Sequence, residues 1–354
     1  MKLVTVVGAR PQFIKAAPVS RVLKGEFEEI LVHTGQHYDY EMSKIFFEEL
    51  ELPEPDINLG IQSSTQGEQT GKMLAGIERV LFDHQPDFVL VYGDTNSTLA
   101  GALAAVKLHI PVFHVEAGLR SFNKSMPEEI NRILTDRVSD LLFCPTPTAV
   151  NNLQSEGIEA GVFLTGDVMY DAAIFNTDLA ENRSDIIAKL GLSSGDYYLA
   201  TVHRPANTDD HLNLGNILNA LGSLDLNVIL PLHPRTRNAL EQFEVEVAEK
   251  VRVIDPVGYL DMLLLEKNAR TIITDSGGIQ KEAYFFGVPC VTLREDTEWV
   301  ETVEVGWNKL VGADPDQIIT AVNDAAVRND RPNLFGNGRA AEKIVDLIKK
   351  EYQK

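Results

Sequence analysis

The sequence predicts an α/β protein built from two doubly wound domains with parallel sheets. Short continuous apolar runs alternate with helix-compatible stretches almost throughout the 354 residues, and the series restarts after Asp171. Strands that are apolar along their whole length and separated by helices are those of parallel sheets, covered on both faces. The residues with chemistry in them also cluster just after these runs, and in this architecture ligands sit at the carboxyl ends of strands.

Taken in order, residues 2–7 read as the first strand and residues 12–23 as its helix. Residues 29–34 and 41–50 repeat the pair, as do 88–92 and 95–108. Runs at 111–116, 141–145 and 162–165 continue the first series. The second series has strand-like runs at 197–202, 228–232, 251–254, 271–274 and 290–293. Between them the polar, uneven stretch Tyr170–Leu192 is the expected crossing. The expected division is residues 1–169, residues 170–337, and a closing segment, 338–354, whose amphipathic helix packs back on the first domain.

A hydrophobic share of 44% and a charged share of 24% are those of a globular chain with enough apolar surface for two cores. The net charge of −20, from 32 basic and 52 acidic residues, comes with no basic stripe, which argues against a nucleic-acid partner. No apolar run has the length of a membrane span, and the first strand begins at Lys2 with no leader before it. No membrane partner is therefore expected, and a cytoplasmic location is. Cys144 and Cys290 lack disulfide-framework or metal-ligand spacing and read as core thiols. Neither a metal nor a cofactor is expected.

The most informative stretch is Thr271–Gly287, where a β-branched run breaks at Asp275-Ser276-Gly277-Gly278 before a helix. Backbone N–H groups at such a helix start, free of side-chain obstruction, suit a phosphate or diphosphate. Glu282, a turn further on, is placed to accept from a ribose diol. A capped helix following a strand is the plainer alternative. His203-Arg204 and His233-Pro234-Arg235 follow two other strands of the same half, as the cations of a diphosphate site would.

In the first half, Gly8-Ala9-Arg10-Pro11 with Lys15 lacks the Gly-x-Gly-x-x-Gly pattern of dinucleotide sites, and suits an anionic oxygen instead. Gln36-His37-Tyr38-Asp39 offers sugar contacts or a helix cap. Asp94, after Gly93, reads either as an N-cap or as a site carboxylate. Glu116 ends a short strand, where an isolated buried carboxylate is costly. Glu128 and Arg132, four apart on one helix face, form a surface ion pair, or Glu128 joins Asp94 and Glu116 in a cleft. Three carboxylates crowded together would supply an acid and a base at neutral pH.

Taken as an ordered set, Gly8-Ala-Arg-Pro with Lys15, Gly93-Asp-Thr, His114-Val-Glu-Ala-Gly-Leu-Arg120, Pro127-Glu-Glu-Ile-Asn-Arg132, His203-Arg204 and Thr274-Asp-Ser-Gly-Gly-Ile-Gln280 resemble the non-hydrolysing UDP-N-acetylglucosamine 2-epimerases. The resemblance implies the glycosyltransferase-B fold, two Rossmann-like domains with the active site in the cleft between them, and commonly a homodimer. It implies interconversion of UDP-N-acetylglucosamine and UDP-N-acetylmannosamine without a redox cofactor, through loss of UDP to 2-acetamidoglucal and its return. Asp94, Glu116, Glu128 and His203 then correspond to catalytic positions. Arg10, Lys15, Arg132, Arg204, His233, Ser276, Gly277, Gly278 and Glu282 correspond to substrate- or UDP-binding ones.

The chain departs from the family pattern in three places. Trp299 stands where the family often has an arginine, Ala206 where it has an acid, and Gln36-His37-Tyr38-Asp39 replaces a Gln-His-Arg. These leave room for a related substrate, UDP-2,3-diacetamido-2,3-dideoxy-glucuronate, or for a hydrolysing variant. A retaining glycosyltransferase and a catalytically silent nucleotide-sugar sensor are the rivals from other classes.

Overall fold

The computed structural model describes residues 1–35, 54–62, 65–325 and 330–352. The chain divides into two compact units, Met1–Ile174 together with Asn333–Lys354, and Phe175–Pro332.

The first unit is organised on seven parallel strands: β1 (Lys2–Val7), β2 (Glu28–His33), β3 (Ile57–Asn58), β4 (Phe88–Tyr92), β5 (Val112–Val115), β6 (Leu141–Cys144) and β7 (Val162–Leu164). Their order in the sheet is β3-β2-β1-β4-β5-β6-β7. β1 and β4 lie at the centre, where both faces are covered, which is why β1 is buried beyond Lys2 and β4 is buried throughout. Val4, Val6, Val89 and Val91 pack with Ala100 and Ala104 of the Asn96–Lys107 helix. Each such valine contributes roughly 1.5–3 kcal/mol by leaving water. Small residues let that helix lie close: a Cβ on Gly101 would stand 3.1 Å from Val91 Cγ1 and 3.3 Å from Val6 Cγ2.

The second unit holds β8 (Tyr197–Thr201), β9 (Asn227–Pro231), β10 (Val251–Ile254), β11 (Thr271–Thr274), β12 (Cys290–Thr292) and β13 (Asn308–Leu310), in the order β10-β9-β8-β11-β12-β13. Successive residues serve opposite faces, as the period of two demands. Leu199 and Ile272 enter one apolar cluster, while Ala200 and Ile273 enter the other. In both sheets the chain winds one way and then reverses, between β1 and β4 in the first and between β8 and β11 in the second. Loops diverge at these switch points and leave a crevice for a ligand.

Most of the polar stretch Tyr170–Leu192 is helical, carried by Val168–Arg183 and Ile186–Leu190. Ala172, Ala173 and Ala180 give the first of these a buried small face among its polar residues. The short strands β3 and β13 carry too few residues to register as a pattern. The helix expected at residues 41–50 lies outside the described residues. The closing helix is Ala340–Tyr352, which contacts the Arg10–Leu23 helix and buries Ile344, Val345 and Ile348. Its start is fixed by Asp171, whose carboxylate accepts the N–H groups of Ala340 at 3.1 Å and Ala341 at 2.8 Å. Among the described residues no helix is long and apolar enough to cross a membrane.

Candidate active site

At the switch point of the first unit, the loop after β1 is closed from within. Gln12 is fully buried; its Oε1 accepts from the N–H groups of Gly8 at 2.8 Å and Ala9 at 3.1 Å. Its Nε2 donates to the Tyr92 carbonyl at 3.1 Å and to Thr98 at 3.0 Å, which ties this loop to the end of β4. Those two amides therefore serve the fold. Lys15, from the same helix, is buried and ion-paired with Glu116. Its Nζ also lies 2.9 Å from where a Cβ on Gly93 would stand, at a left-handed φ of 62°.

Glu116 follows β5 with φ 68°. A left-handed backbone is costly for a residue with a Cβ, and such outliers gather at functional sites. A buried network holds this turn. His114 meets the Gly93 carbonyl through Nε2 and Asp136 through Nδ1, each at 2.7 Å. A carbonyl only accepts, so Nε2 donates. Asp136 Oδ2 accepts from the Gly118 N–H at 3.1 Å and from Arg120 at 2.7 Å, and Arg120 also clasps both oxygens of Glu156. Burial opposes the Arg120 charge, but its bonds to Glu156 and Asp136 outweigh that and push the pKa up.

Asp94 opens the loop after β4, half-exposed. Arg132 reaches its Oδ2 at 2.5 Å, and Asn131 donates to its backbone carbonyl at 2.9 Å. The i,i+3 partner of Arg132 is Glu129 at 3.1 Å, not Glu128. Glu129 is buried and accepts from the N–H groups of Ser121 and Phe122, both at 2.9 Å, so it is the structural acid of this helix. Glu128 is exposed on the first turn and makes no hydrogen bond or ion pair among the described residues. The structure thus brings Asp94, Glu116, Lys15 and Arg132 around the β4 and β5 ends, and leaves Glu128 open to solvent.

At the switch point of the second unit the organising residue is Asp275, fully buried at the end of β11. Its carboxylate accepts the backbone N–H of His203 at 3.0 Å, that of Arg204 at 2.9 Å and the Asn207 side chain at 3.0 Å. This locks the loop after β8 against the loop after β11. His203 Nδ1 lies 3.3 Å from Asp275, which orients the ring. The Arg204 Nε donates to the Asp275 carbonyl at 3.1 Å. Ser276 then caps the Gly277–Phe286 helix. A Cβ on Gly277 would meet nothing closer than 3.6 Å, from Trp299 Nε1. Among the described residues no protein atom crowds that position.

Glu282 is buried, with Oε1 accepting from Tyr259 at 2.9 Å. His233 is exposed; its Nδ1 accepts from the Arg235 N–H at 3.2 Å, and its ring centroid is 5.6 Å from that of His203. The Arg10 side chain and the Gln36-His37-Tyr38-Asp39 motif lie outside what is described. Among the described residues no group of three or more His, Cys, Asp or Glu is placed to hold a metal ion.

Comparison with known proteins decides the family. A model described as UDP-N-acetylglucosamine 2-epimerase matches residues 21–349. The chain belongs to the UDP-N-acetylglucosamine 2-epimerase family. A UDP-N-acetylglucosamine 2-epimerase homolog of Methanococcus maripaludis is 54% identical to this epimerase-family chain, over 99% of both. A UDP-2,3-diacetamido-2,3-dideoxy-D-glucuronate 2-epimerase of Pseudomonas aeruginosa is 52% identical, over 99% of this chain and 100% of its own. The crystal structure of the Methanocaldococcus jannaschii UDP-GlcNAc 2-epimerase in complex with UDP-GlcNAc and UDP is similar at a TM-score of 0.91 and 48% identity, over 99% of this chain and 100% of that one. A Streptomyces nogalater glycosyltransferase, SnogD, shares the fold alone at 14% identity and a TM-score of 0.57. The architecture is glycosyltransferase-B-like, and the chain is a nucleotide-sugar 2-epimerase.

Several residues that organise this epimerase-family site have no assigned role in the sequence reading: Gln12, His114, Glu129, Asn131, Asp136 and Asp275. Polar side chains at strand ends and in the first turn of a helix were the available signal. Their partners lie far along the chain, 86 residues away for Gln12 and Thr98 and 72 for Asp275 and His203.

Proposed function

We propose that the protein interconverts UDP-N-acetylglucosamine and UDP-N-acetylmannosamine by elimination and re-addition of UDP. The observation that carries this reading is Glu116, a carboxylate on a left-handed turn, paired with the buried Lys15 beside the Asp94 loop. Anti elimination takes the proton from C2. Its electron pair forms the C1–C2 double bond as the C1–O bond breaks, giving 2-acetamidoglucal and UDP. In the return step a UDP oxygen attacks C1, and a proton enters C2 from the opposite face. Proton and leaving group are both restored, so the sequence is an isomerisation that needs no oxidant.

Asp94, Glu116 and Glu128 are the acid and base candidates, with no single proton assigned to one residue. The departing diphosphate needs its charge met by fixed donors. Arg204, His203, the Ser276 side chain and the amides of Gly277 and Gly278 are such a set, with His233 beside His203. Arg10, Lys15 and Arg132 complete the substrate contacts, and Glu282 takes the ribose. The work would proceed in a homodimer.

A second reading is favoured by the Pseudomonas aeruginosa relative: epimerisation of UDP-2,3-diacetamido-2,3-dideoxy-D-glucuronate. Incubating the purified protein separately with each UDP-sugar, and following the anomeric proton signals, tests both. A new UDP-N-acetylmannosamine signal at useful rates supports the first. Turnover of the uronate alone assigns the second, and inertness toward both refutes the proposal.

A further inference from the structure

Three successive carbonyls at the end of β4 are each held by a buried side chain. That of Tyr92 accepts from Gln12 Nε2 at 3.1 Å and from the Thr98 hydroxyl at 2.6 Å. That of Gly93 accepts from His114 Nε2 at 2.7 Å, and that of Asp94 from Asn131 Nδ2 at 2.9 Å. Gly93 and Asp94 fall between β4, which ends at Tyr92, and the Asn96–Lys107 helix, whose first carbonyl is that of Thr95, bonded to the Leu99 N–H at 3.2 Å. Neither ladder serves them, so side chains from β5 and from the Pro127–Val138 helix do. Each donor is itself fixed. His114 Nδ1 meets Asp136 at 2.7 Å, and Asn131 Nδ2 also donates to Asn96 Oδ1 at 3.1 Å. The Gly93 N–H is bound as well, by the Val115 carbonyl at 3.0 Å. The turn is thus pinned along its backbone, whereas the Asp94 carboxylate is half-exposed, with Arg132 on Oδ2.

We propose that His114 and Asn131 are positioning residues for the reaction: by gripping the Gly93 and Asp94 carbonyls they set where the Asp94 carboxylate stands. This rests on the reading of Asp94 as an acid or base of the epimerisation. A buried carbonyl needs a donor, and that need alone is met by any group of the right reach. Proton transfer asks for more, because the carboxylate must lie within hydrogen-bond reach of the proton it moves. A misplacement of about 1 Å costs about 10²-fold in rate. A short aspartate side chain places its oxygens no better than its backbone is placed. The residue before it is a glycine at a left-handed φ of 62°, the type with the widest choice of conformations. Two side-chain bonds on adjacent peptides remove that choice. They come from different elements, so the turn is registered against both β5 and the helix that carries Arg132.

The test is steady-state turnover of whichever UDP-sugar the wild-type protein epimerises. Counting kcat per UDP-binding site, from calorimetry, keeps unfolded molecules out of the comparison. Asn131→Ala removes one grip. His114→Asn removes the other, since its amide reaches toward Asp136 but falls short of the Gly93 carbonyl. Each should lower kcat about 10- to 100-fold, with KM and UDP affinity within about threefold of wild type. His114→Gln carries an amide N–H out to the Nε2 position and should turn over at least about fivefold faster than His114→Asn. A kcat per site within about twofold of wild type in Asn131→Ala, equal rates in the two His114 variants, or a loss confined to KM overturns the inference. Loss of UDP binding in Asn131→Ala marks a merely structural role and overturns it too. A wild-type protein inert toward both UDP-sugars removes the reading of Asp94 on which the inference stands.

Discussion

Gly277→Ala separates the stability of the second unit from its ligand chemistry. The added methyl group would stand 3.6 Å from Trp299 Nε1, 3.7 Å from Glu298 Oε2 and 4.0 Å from Arg204 Nη2, all ordinary van der Waals separations. Gly277 begins the helix without a left-handed φ, so alanine is free to adopt its backbone. Alanine exceeds glycine in a helix by up to about 1 kcal/mol, so the folded protein should lose nothing and gain up to that amount. The same methyl covers the amides that a phosphate would approach. Losing one bond to a charged group, at about 1.5–3 kcal/mol, weakens binding about 10- to 100-fold. Urea denaturation reads the first quantity and calorimetry with UDP the second. Unchanged UDP affinity in a stably folded variant would refute the reasoning, because the glycine would then have no ligand to explain it.

The remaining predictions concern both units. Asp94→Asn, Glu116→Gln and Glu128→Gln should each lower turnover at least about 10²-fold; near-normal rates in all three would remove the carboxylates from the mechanism. Lys15→Met leaves Glu116 buried without its cation and should cost about 3–5 kcal/mol of stability, much of it recovered in Lys15→Met with Glu116→Gln. Additivity of the two changes within about 0.5 kcal/mol would contradict that pairing. Burial pushes Asp171 above its ordinary value of about 3.9, against the N–H bonds of Ala341 and Ala340. Its contribution to stability is therefore full below the unfolded value and lost as pH rises through the raised folded one. Asp171→Asn should flatten that decline in melting temperature, and an unaltered slope would count against it. Burial also pushes the Cys290 thiol up to about 12 and Cys144 well above its ordinary range. Both should resist a thiol reagent at pH 8 until denaturant is added, and rapid labelling of the native protein would be contrary.

What the sequence makes legible follows from what is local. Parallel strands such as β1 and β4 declare themselves as unbroken apolar runs because both faces are covered. The loops that matter follow those strands, so Asp94, Glu116, His203 and Ser276 could be placed at strand ends in advance. Side-chain direction is another matter. Glu128 and Glu129 are adjacent acids on one helix, about 100° apart around its axis, and only packing tells which one turns inward. Asp275 looks like any loop aspartate until His203, Arg204 and Asn207 arrive from another strand. Gln12 and His114 read as unremarkable polar residues, although each joins the ends of two strands. In the polar, uneven Tyr170–Leu192 stretch the charges masked a helix whose buried small residues are Ala172, Ala173 and Ala180.

The central claim, that a proton is removed from C2 and returned, is tested most directly in deuterated water. UDP-N-acetylglucosamine should acquire deuterium at C2 while UDP-N-acetylmannosamine accumulates, both still linked to UDP. A C2 position that keeps its hydrogen through many turnovers would contradict the account.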